Sequence, residues 1–291
     1  MISQFLLKYR SRSTSSLLKF PFRQIYNLLG YIDHLTSNGH PLFKSVPSFE
    51  EVQRTVSVSS NLNFIYVANC LEILSSHEII FLEKMSKSQA NVFIIVNCSN
   101  HQDHQIGTLN SIWTRENRGR DLAAIRDFMF VNFELIHGAD LCIINSSCFW
   151  SESRLADTVV DIQDDSYAGI TFGTESKQNR FHYQTFFIFV PKGLLSHFRK
   201  STEFFRNWRT KRAAVIFGEY LLGERLQSQG IECRAYFSKD LEHLLNDPKD
   251  AKRNNSLVHA SHLLELGAPF LKKGAASKDI RTKYSRDFFI S

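Results

Sequence analysis

The chain has 291 residues and is 43% hydrophobic, which allows one large folded α/β domain and excludes a wholly disordered protein. No apolar run approaches the roughly 18–20 residues that a membrane-spanning helix needs. The five cysteines form no C-x-x-C pair, which favours buried reduced thiols over a disulfide or zinc framework. The start lacks a secretory leader pattern, so we expect a cytoplasmic protein.

The net charge of +6 is concentrated at the two ends of the chain. Residues 1–32 contain five basic residues and no acidic one, interleaved with Leu, Phe and Tyr. Such ends suit the anionic inner face of a membrane better than a nucleic acid, although they would also serve as solvated tails. We expect residues 1–60 to be an N-terminal helical and linker segment, with short helices on both sides of Pro21. Residues 276–291 are read as a basic C-terminal tail.

Strands and helices alternate from residue 62 onward. Short β-branched and aromatic runs predict buried strands, and apolar spacing of three and four residues predicts the helices between them. The strands are expected at 64–68, 91–96, 112–114 and 141–144, and the helices at 73–87 and 121–133. This alternation predicts a mostly parallel sheet with right-handed crossovers.

The second half of the domain mixes strand directions. Two strands joined by a polar loop, at 167–172 and 183–190, predict an antiparallel addition to the sheet. Helices are expected at 155–162, 194–208 and 215–229, the last ending at Gly230, and a final strand at 231–237. Residues 61–275 are therefore predicted to form an α/β, Rossmann-type mixed sheet flanked by helices.

One polar turn opens the helix at residue 121 and reads Asn117-Arg-Gly119-Arg120-Asp121. The N-terminus of a helix after a glycine turn favours anionic groups such as phosphate. Arg120 would contact phosphate or sugar, or else form a structural ion pair. Asp121 would contact the nucleotide, fix Arg120, or simply stabilise the first turn of the helix.

A second polar turn, Asn145-Ser146-Ser147, ends the strand at 141–144. Because ligand crevices form at the carboxyl ends of strands, we expect Asn145 to bind a sugar hydroxyl, the alternative being a turn cap. His182 and Gln184 share one face of a later strand, where they would bind donor or acceptor sugar unless they are satisfied core residues.

If the chain transfers a sugar, as the family resemblance given below implies, Glu219 is the predicted general base, because inverting transfer needs a carboxylate that deprotonates the acceptor hydroxyl. The alternative is an acid that stabilises a helix N-terminus. Glu224 lies about 140° further around the same helix and is expected to face away from the site.

Five motifs together resemble the rhamnan synthesis protein F family, which is associated with rhamnosyl transfer in bacterial surface polysaccharides. They cover about residues 110–275 and read Asn117-Arg-Gly119-Arg120-Asp121, Ile143-Ile-Asn145-Ser146-Ser147, His182-Tyr-Gln184-Thr185-Phe186, Phe217-Gly218-Glu219-Tyr220 and Gly267-Ala-Pro269-Phe-Leu271-Lys272-Lys273. The resemblance implies a GT-A-like glycosyltransferase. It implies a nucleotide-sugar donor such as dTDP-rhamnose and a lipid-linked or polysaccharide acceptor.

The chain departs from related GT-A enzymes because it has no Asp-x-Asp motif, the usual holder of a divalent metal. Asn145-Ser146-Ser147 stands in that place, and neutral oxygens are poorer ligands for Mg²⁺ or Mn²⁺. We therefore assign no metal ligand and expect Arg118 and Arg120 to meet the diphosphate charge. The nearest alternative acidic pair is Asp240-Leu-Glu242, after the last strand.

Two rival functions remain open. The missing Asp-x-Asp supports a non-catalytic module that binds a nucleotide sugar or a glycan within a polysaccharide assembly complex. An unrelated nucleotide-dependent enzyme is disfavoured, because the chain has neither G-x-G-x-x-G nor G-x-x-x-x-G-K-[ST].

Overall fold

An eight-stranded mixed sheet forms the centre of the protein. The computed structural model describes residues 19–37, 50–54, 61–69, 74–87, 90–97, 111–115, 119–164, 169–173, 175–178, 180–237 and 259–288. The first five strands are β1 (Glu50–Arg54), β2 (Leu62–Asn69), β3 (Asn91–Asn97), β4 (Ser111–Arg115) and β5 (Asp140–Asn145). β4, β3, β2 and β5 are parallel neighbours, and β1 closes the edge antiparallel to β4.

The later strands extend the sheet beyond β5 and form two small ribbons. They are β6 (Cys148–Trp150), β7 (Ile170–Phe172), β8 (Glu175–Gln178), β9 (Arg180–Tyr183), β10 (Phe187–Val190), β11 (Cys233–Ala235) and β12 (Phe270–Lys272). β10 runs antiparallel to both β5 and β7, and β11 is parallel to β7. β12 pairs with β6, and β8 pairs with β9. The predicted α/β mixed sheet with an antiparallel addition is confirmed.

Helices cover both faces of the sheet. They are α1 (Lys19–Thr36), α2 (Ser76–Lys87), α3 (Arg120–Ile136), α4 (Glu152–Asp164), α5 (Leu195–Thr202), α6 (Lys211–Ala214), α7 (Tyr220–Ser228), α8 (Ala260–Glu265), α9 (Lys278–Lys283) and α10 (Ser285–Phe288). Apolar residues of α2, α4 and α8 pack on one face. Those of α3, α5, α6 and α7 pack on the other, which explains why the central strands are apolar on both sides.

Several boundaries differ from the sequence predictions. The helix predicted at 194–208 ends at Thr202, and an irregular segment continues to Trp208, whose ring is buried. The helix predicted at 215–229 begins earlier, at Lys211, and contains a π-helical turn. Gly230 follows it with a φ of 77°, the left-handed conformation that terminates helices and favours glycine.

Residues 19–36 form one long helix that Pro21 does not interrupt, and most of the helix predicted before Pro21 lies outside the described residues. Pro21 lies in the first turn of α1, where its missing backbone N–H interrupts no helical hydrogen bond. None of the helices in the described ranges is long and apolar enough to cross a bilayer. The division at residues 60 and 275 stays a prediction. Within the predicted tail, α9 and α10 are helical, and Tyr284 and Phe288 are buried.

Candidate functional site

Four parallel strands end in side chains that form one connected polar row. Asn69, Asn97, Arg115 and Asn145 are the last residues of β2, β3, β4 and β5. Arg115 donates to Asn97 Oδ1 at 3.0 Å, and Asn97 Nδ2 donates to Asn69 Oδ1 at 2.9 Å. The members of the row satisfy one another, and three of them, Asn97, Arg115 and Asn145, are buried, so the row fixes the carboxyl edge of the sheet.

The far end of the row is anchored by buried charges under the sheet edge. Arg115 forms an ion pair with Asp127 at 2.9 Å, and Arg126 contacts the same carboxylate at 2.6 Å. Arg126 also donates to the carbonyl of Phe205 and to Asn207 Oδ1. The charged anchor therefore ties α3 to both the strand ends and the loop after α5.

Asp121 contacts the other end of the row. Its Oδ1 accepts an N–H of Asn69, and its Oδ2 accepts Asn145 Nδ2 at 2.6 Å. Asn145 Oδ1 in turn accepts the backbone N–H and the hydroxyl of Ser147, at 3.0 and 2.5 Å. These contacts show Asn145 both capping its own turn and positioning Asp121.

The turn before α3 depends on Gly119. Its φ is 74°, and a Cβ there would lie 2.6 Å from the carbonyl oxygen of Arg206, so no side chain fits. Its N–H donates to the Trp208 carbonyl at 3.0 Å. Arg120 also adopts a positive φ, 57°, which is uncommon outside glycine. This backbone places the exposed Arg120 and the half-buried Asp121 side by side at the helix start.

A cavity of about 280 Å³ opens at this edge, lined by Asn69, Arg120, Asp121, Leu122, Asn145, Ser147, Gln184, Thr185, Phe186, Lys211, Ala214, Val215, Glu219 and Lys272. Gln184 and Thr185, both buried, come from the turn between β9 and β10. The structure therefore brings most of the predicted site residues into one pocket. The prediction that His182 and Gln184 share one face of a strand is wrong, because β9 ends at Tyr183.

Lys272 enters the pocket from the C-terminal end of the chain. β12 pairs with β6 so that Lys272 lies opposite Cys148, one residue after the Asn145 turn. Its Nζ donates to Ser147 Oγ at 2.9 Å and lies 4.1 Å from the centre of the Phe186 ring. Ammonium groups held in this way present a positive charge to an anionic ligand.

Glu219 enters from the opposite wall, and it does not start a helix. It is the last residue of the π-helical turn Val215–Glu219, which continues directly from α6 into α7. The alternative of an acid at a helix N-terminus is therefore wrong. Such π turns commonly occur at functional sites because they redirect side chains locally.

Close helix packing positions this turn. A Cβ on Gly218 would lie 2.1 Å from Leu122 Cδ1 and 3.1 Å from the Trp208 ring, so glycine lets the π turn approach α3. Glu224 is exposed, as predicted from its angular position. Thr185 Oγ1 donates to Glu219 Oε1 at 3.2 Å.

Burial raises the pKa of Glu219 to about 7, and the neighbouring Asp121 charge adds to the rise. The hydrogen bond from Thr185 and the charges of Lys272 and Lys211 act in the opposite direction. A carboxyl group with a pKa near neutrality can accept a proton at physiological pH and release it again.

Burial also raises the pKa of Asp121, and it outweighs the hydrogen bonds from Asn69 and Asn145 and the charges of Lys272 and Arg120. Each Asp121 oxygen accepts one amide hydrogen, from Asn69 or from Asn145. Among the described residues, no group of three or more His, Cys, Asp or Glu is placed to hold a metal ion. Asp240 and Glu242 lie outside the described residues.

The side chains of three residues that the sequence places in the site are not described by the structure. Asn117 and Arg118 lie outside the described residues, and for His182 the structure describes the backbone alone. Ser146 is buried behind the pocket, where its hydroxyl accepts the backbone N–H of Asn69 at 2.9 Å.

Sequence reasoning missed Asn69, Thr185, Lys211 and Lys272 as pocket residues. For Asn69, the repeated polar residue after an apolar strand was a usable signal. Lys272 belongs to the motif Gly267-Ala-Pro269-Phe-Leu271-Lys272-Lys273, but no local pattern indicates which of its two adjacent lysines faces the pocket.

Comparisons with known proteins identify no family for this chain. No family model matches, and no curated protein matches. Solved structures with overall similarity include the 4-diphosphocytidyl-2C-methyl-D-erythritol synthase from Anaerococcus prevotii, at 12% identity and a TM-score of 0.40, covering 60% of this chain and 88% of that one. They also include the 2-C-methyl-D-erythritol 4-phosphate cytidylyltransferase from Francisella tularensis, at 10% and 0.37, covering 62% and 98%.

A cytidylyltransferase from Leptospira borgpetersenii is similar at 11% identity and a TM-score of 0.36, covering 61% of this chain and 76% of that one. All three are nucleotidyltransferase-type proteins by name. Similarity at this level carries no information about the substrate or reaction of the present chain.

Proposed function

We propose that the chain is a glycosyltransferase that moves a sugar from a nucleotide-diphosphate donor to an acceptor hydroxyl, with Glu219 as the general base. One observation carries the proposal: Glu219, with its pKa near 7, shares a pocket with Arg120, Lys211 and Lys272. The pocket thus combines a proton acceptor with three cationic groups at the carboxyl edge of a parallel sheet, where α/β proteins bind ligands.

The reaction assigns separate roles to the two sides of the pocket. Glu219 takes the acceptor's hydroxyl proton while the acceptor oxygen bonds to the anomeric carbon of the sugar. The bond from that carbon to the diphosphate oxygen breaks, and its electron pair leaves with the diphosphate. Lys272, Lys211 and Arg120 would stabilise the departing negative charge, which makes a metal ion unnecessary for charge balance.

Asp121 and its partners would orient the donor. Its hydrogen bonds from Asn69 and Asn145 hold the carboxyl group in one orientation, in which it would hydrogen-bond a ribose or sugar hydroxyl. Gln184 lines the same pocket and carries both donor and acceptor groups for sugar recognition. The assignment of Asn117, Gly119 and His182 to donor or substrate binding stays a prediction from the sequence, whereas Ser147 would hold Lys272 and the Ser146 hydroxyl holds the Asn69 backbone.

The identity of the sugar follows only from the family resemblance, which supports dTDP-rhamnose as donor and a lipid-linked or polysaccharide acceptor of a bacterial surface glycan. We also propose residues 61–275 as the transferase domain and a cytoplasmic location. The test is a panel of nucleotide sugars in which bound donor, free nucleotide diphosphate and transferred sugar are measured separately. Release of nucleotide diphosphate from no donor, with or without acceptor glycans, would contradict the transferase proposal.

A non-catalytic binding module is the second candidate, favoured by the missing Asp-x-Asp. Calorimetry distinguishes it from the enzyme. A binding module would bind a nucleotide sugar with the same affinity in wild type and Glu219→Gln, and neither protein would release nucleotide diphosphate.

A further inference from the structure

Helix α1 has its polar face toward the protein and its apolar face toward solvent. The outward residues are spaced three and four apart and are between 47% and 77% exposed; they are Ile25, Leu28, Leu29, Ile32 and Leu35, here called the apolar stripe. At 100° per residue they span about 120° of the helix surface. A helix that only covers a core would have the opposite orientation.

The inward face of α1 is held by polar contacts. Asp33 Oδ2 accepts the Thr210 backbone N–H and hydroxyl, both at 2.8 Å, and Oδ1 accepts the Arg209 N–H at 3.1 Å. Asn27 Oδ1 accepts Arg212 Nε at 2.7 Å, and the His34 carbonyl accepts Arg206 at 2.8 Å. These bonds fix the rotation of the helix, so the stripe cannot turn inward without breaking them.

Aromatic contacts fix the helix in the same orientation. The His34 ring stacks on Phe217 with centroids 3.8 Å apart, and His34 Nδ1 accepts Trp208 Nε1–H at 3.2 Å. Burial lowers the pKa of His34 and the charge of Arg206 lowers it further, against the opposing effect of Asp33. His34 is therefore neutral at pH 7 and contributes no charge beside the stripe.

Four basic residues lie in the chain segment that contacts the inward face of α1. Arg206, Arg209, Lys211 and Arg212, here called the basic cluster, lie in the segment that packs along α1. Within the described residues, none of the four forms an ion pair with a carboxylate, since Arg206 and Arg212 donate to a carbonyl and an amide. The 18 residues before α1 add Lys8, Arg10 and Arg12 and contain no acidic residue.

We propose that the apolar stripe and the basic cluster together bind the surface of an anionic lipid bilayer. Apolar side chains enter the acyl boundary while arginine and lysine meet lipid phosphates, the combination that holds interfacial helices at membranes. The stripe runs from residue 25 to residue 35, about 15 Å along the helix, and it is about 10 Å wide, so its area is roughly 150 Å², whereas a stable dimer buries about 800 Å² per partner. A lipid surface therefore fits the stripe better than a second copy of the chain.

This surface lies one helix away from the pocket. Lys211 belongs to the basic cluster and also lines the pocket, and the same short α6 supports α1. If the proposed transferase function is correct, an acceptor carried by a lipid would enter the pocket close to the bilayer. The membrane proposal itself needs no catalysis.

The test uses the full-length chain, without donor, in co-sedimentation with phosphatidylcholine vesicles that contain or lack phosphatidylglycerol. We expect Leu28→Gln/Leu35→Gln to lower vesicle partitioning at least about tenfold, because two large apolar side chains no longer enter the bilayer. Val160→Gln, which replaces a residue of α4 that is 53% exposed, is the matched control and should bind as wild type.

Charge is tested separately with Arg209→Gln. Since each basic residue near an anionic surface contributes about 1 kcal/mol, partitioning into phosphatidylglycerol vesicles should fall about fivefold and weak binding to neutral vesicles should not change. Equal partitioning of wild type and the double Leu variant would overturn the proposal. The proposal would also be overturned if the wild type did not bind vesicles and light scattering showed it to form a concentration-dependent dimer that the double Leu variant does not form.

Discussion

The strand-end pocket and helix α1 both reverse the usual distribution of polar and apolar residues. At the pocket, guanidinium, amide and carboxylate groups hydrogen-bond one another in a row that runs from the buried Arg115 and Asn97 through the exposed Asn69 to the half-buried Asp121. On α1, five large aliphatic side chains face solvent while Asp33 faces the body.

The two regions differ in whether contacts within the protein cover their side chains. The polar row is complete within the protein, so it can hold a rigid site in which a ligand replaces water. None of the described residues covers the apolar stripe, so its side chains would be buried only by a partner outside them. The pocket is therefore expected to be sensitive to small substitutions, and the surface of α1 to tolerate them.

The largest effect is expected from Glu219→Gln, which removes the proton acceptor and keeps the shape. Turnover should fall about a thousandfold, while the dissociation constant of the donor changes less than about threefold. Initial rates with saturating donor, together with calorimetry, measure the two quantities. A rate near that of wild type would remove Glu219 from the role of base.

Packing at the pocket wall is tested by Gly218→Ala. The added methyl group would collide with Leu122, so we expect a loss of about 2–3 kcal/mol in the free energy of unfolding. Gly30→Ala on α1 should lose less, because its new Cβ meets the flexible Arg212 side chain at 3.1 Å. Gly138→Ala is the control, since nothing lies within 4 Å of its Cβ position. Equal losses at positions 218 and 30 would contradict the contrast between the two regions.

The charge of the pocket is tested by Lys272→Met against Lys273→Met. Lys272 faces the pocket, whereas the neighbouring Lys273 is exposed and lies 3.6 Å from Glu78. Loss of Lys272 should weaken binding of a nucleotide diphosphate about tenfold, and loss of Lys273 should leave it unchanged. Isothermal titration with the nucleotide diphosphate alone decides between them, and equal effects would show that Lys272 is not a ligand group.

The smallest effect concerns stability and pH. The pKa of Glu219 is about 7 in the folded protein against an ordinary value of 4.5, so the unfolded chain loses this proton first as pH rises. The folded protein then binds more protons, and Glu219 lowers stability progressively between pH 4.5 and 7. Glu219→Gln should therefore raise the free energy of unfolding by about 1–2 kcal/mol at pH 8 and change it little at pH 4.

Denaturant unfolding of both proteins at the two pH values measures this difference. Because the other titrating groups are the same in both proteins, their contributions cancel. A stabilisation as large at pH 4 as at pH 8 would mean that ionisation of Glu219 is not its cause.

Local patterns in the sequence were sufficient for much of the sheet. Runs such as residues 92–96 are apolar at successive positions and rich in β-branched residues, which is typical of a strand covered on both faces, and the structure buries all of β3. The sequence predicts a helix over 203–208, because the aromatic residues of this segment have helical spacing, and this prediction is wrong. In the structure Phe205 and Trp208 are buried from an irregular backbone, a choice that tertiary packing makes.

The sequence by itself determined the α/β class, the two polar turns around Asp121 and Asn145, and the selection of Glu219 as a candidate, because each depends on residues adjacent along the chain. Only the tertiary structure decided that Lys272, more than 120 residues after Ser147, donates to its hydroxyl. It also decided that Glu219 sits in a π turn, and that the apolar side of α1 faces outward. These depend on strand pairing and helix packing, which bring together residues that no local pattern relates.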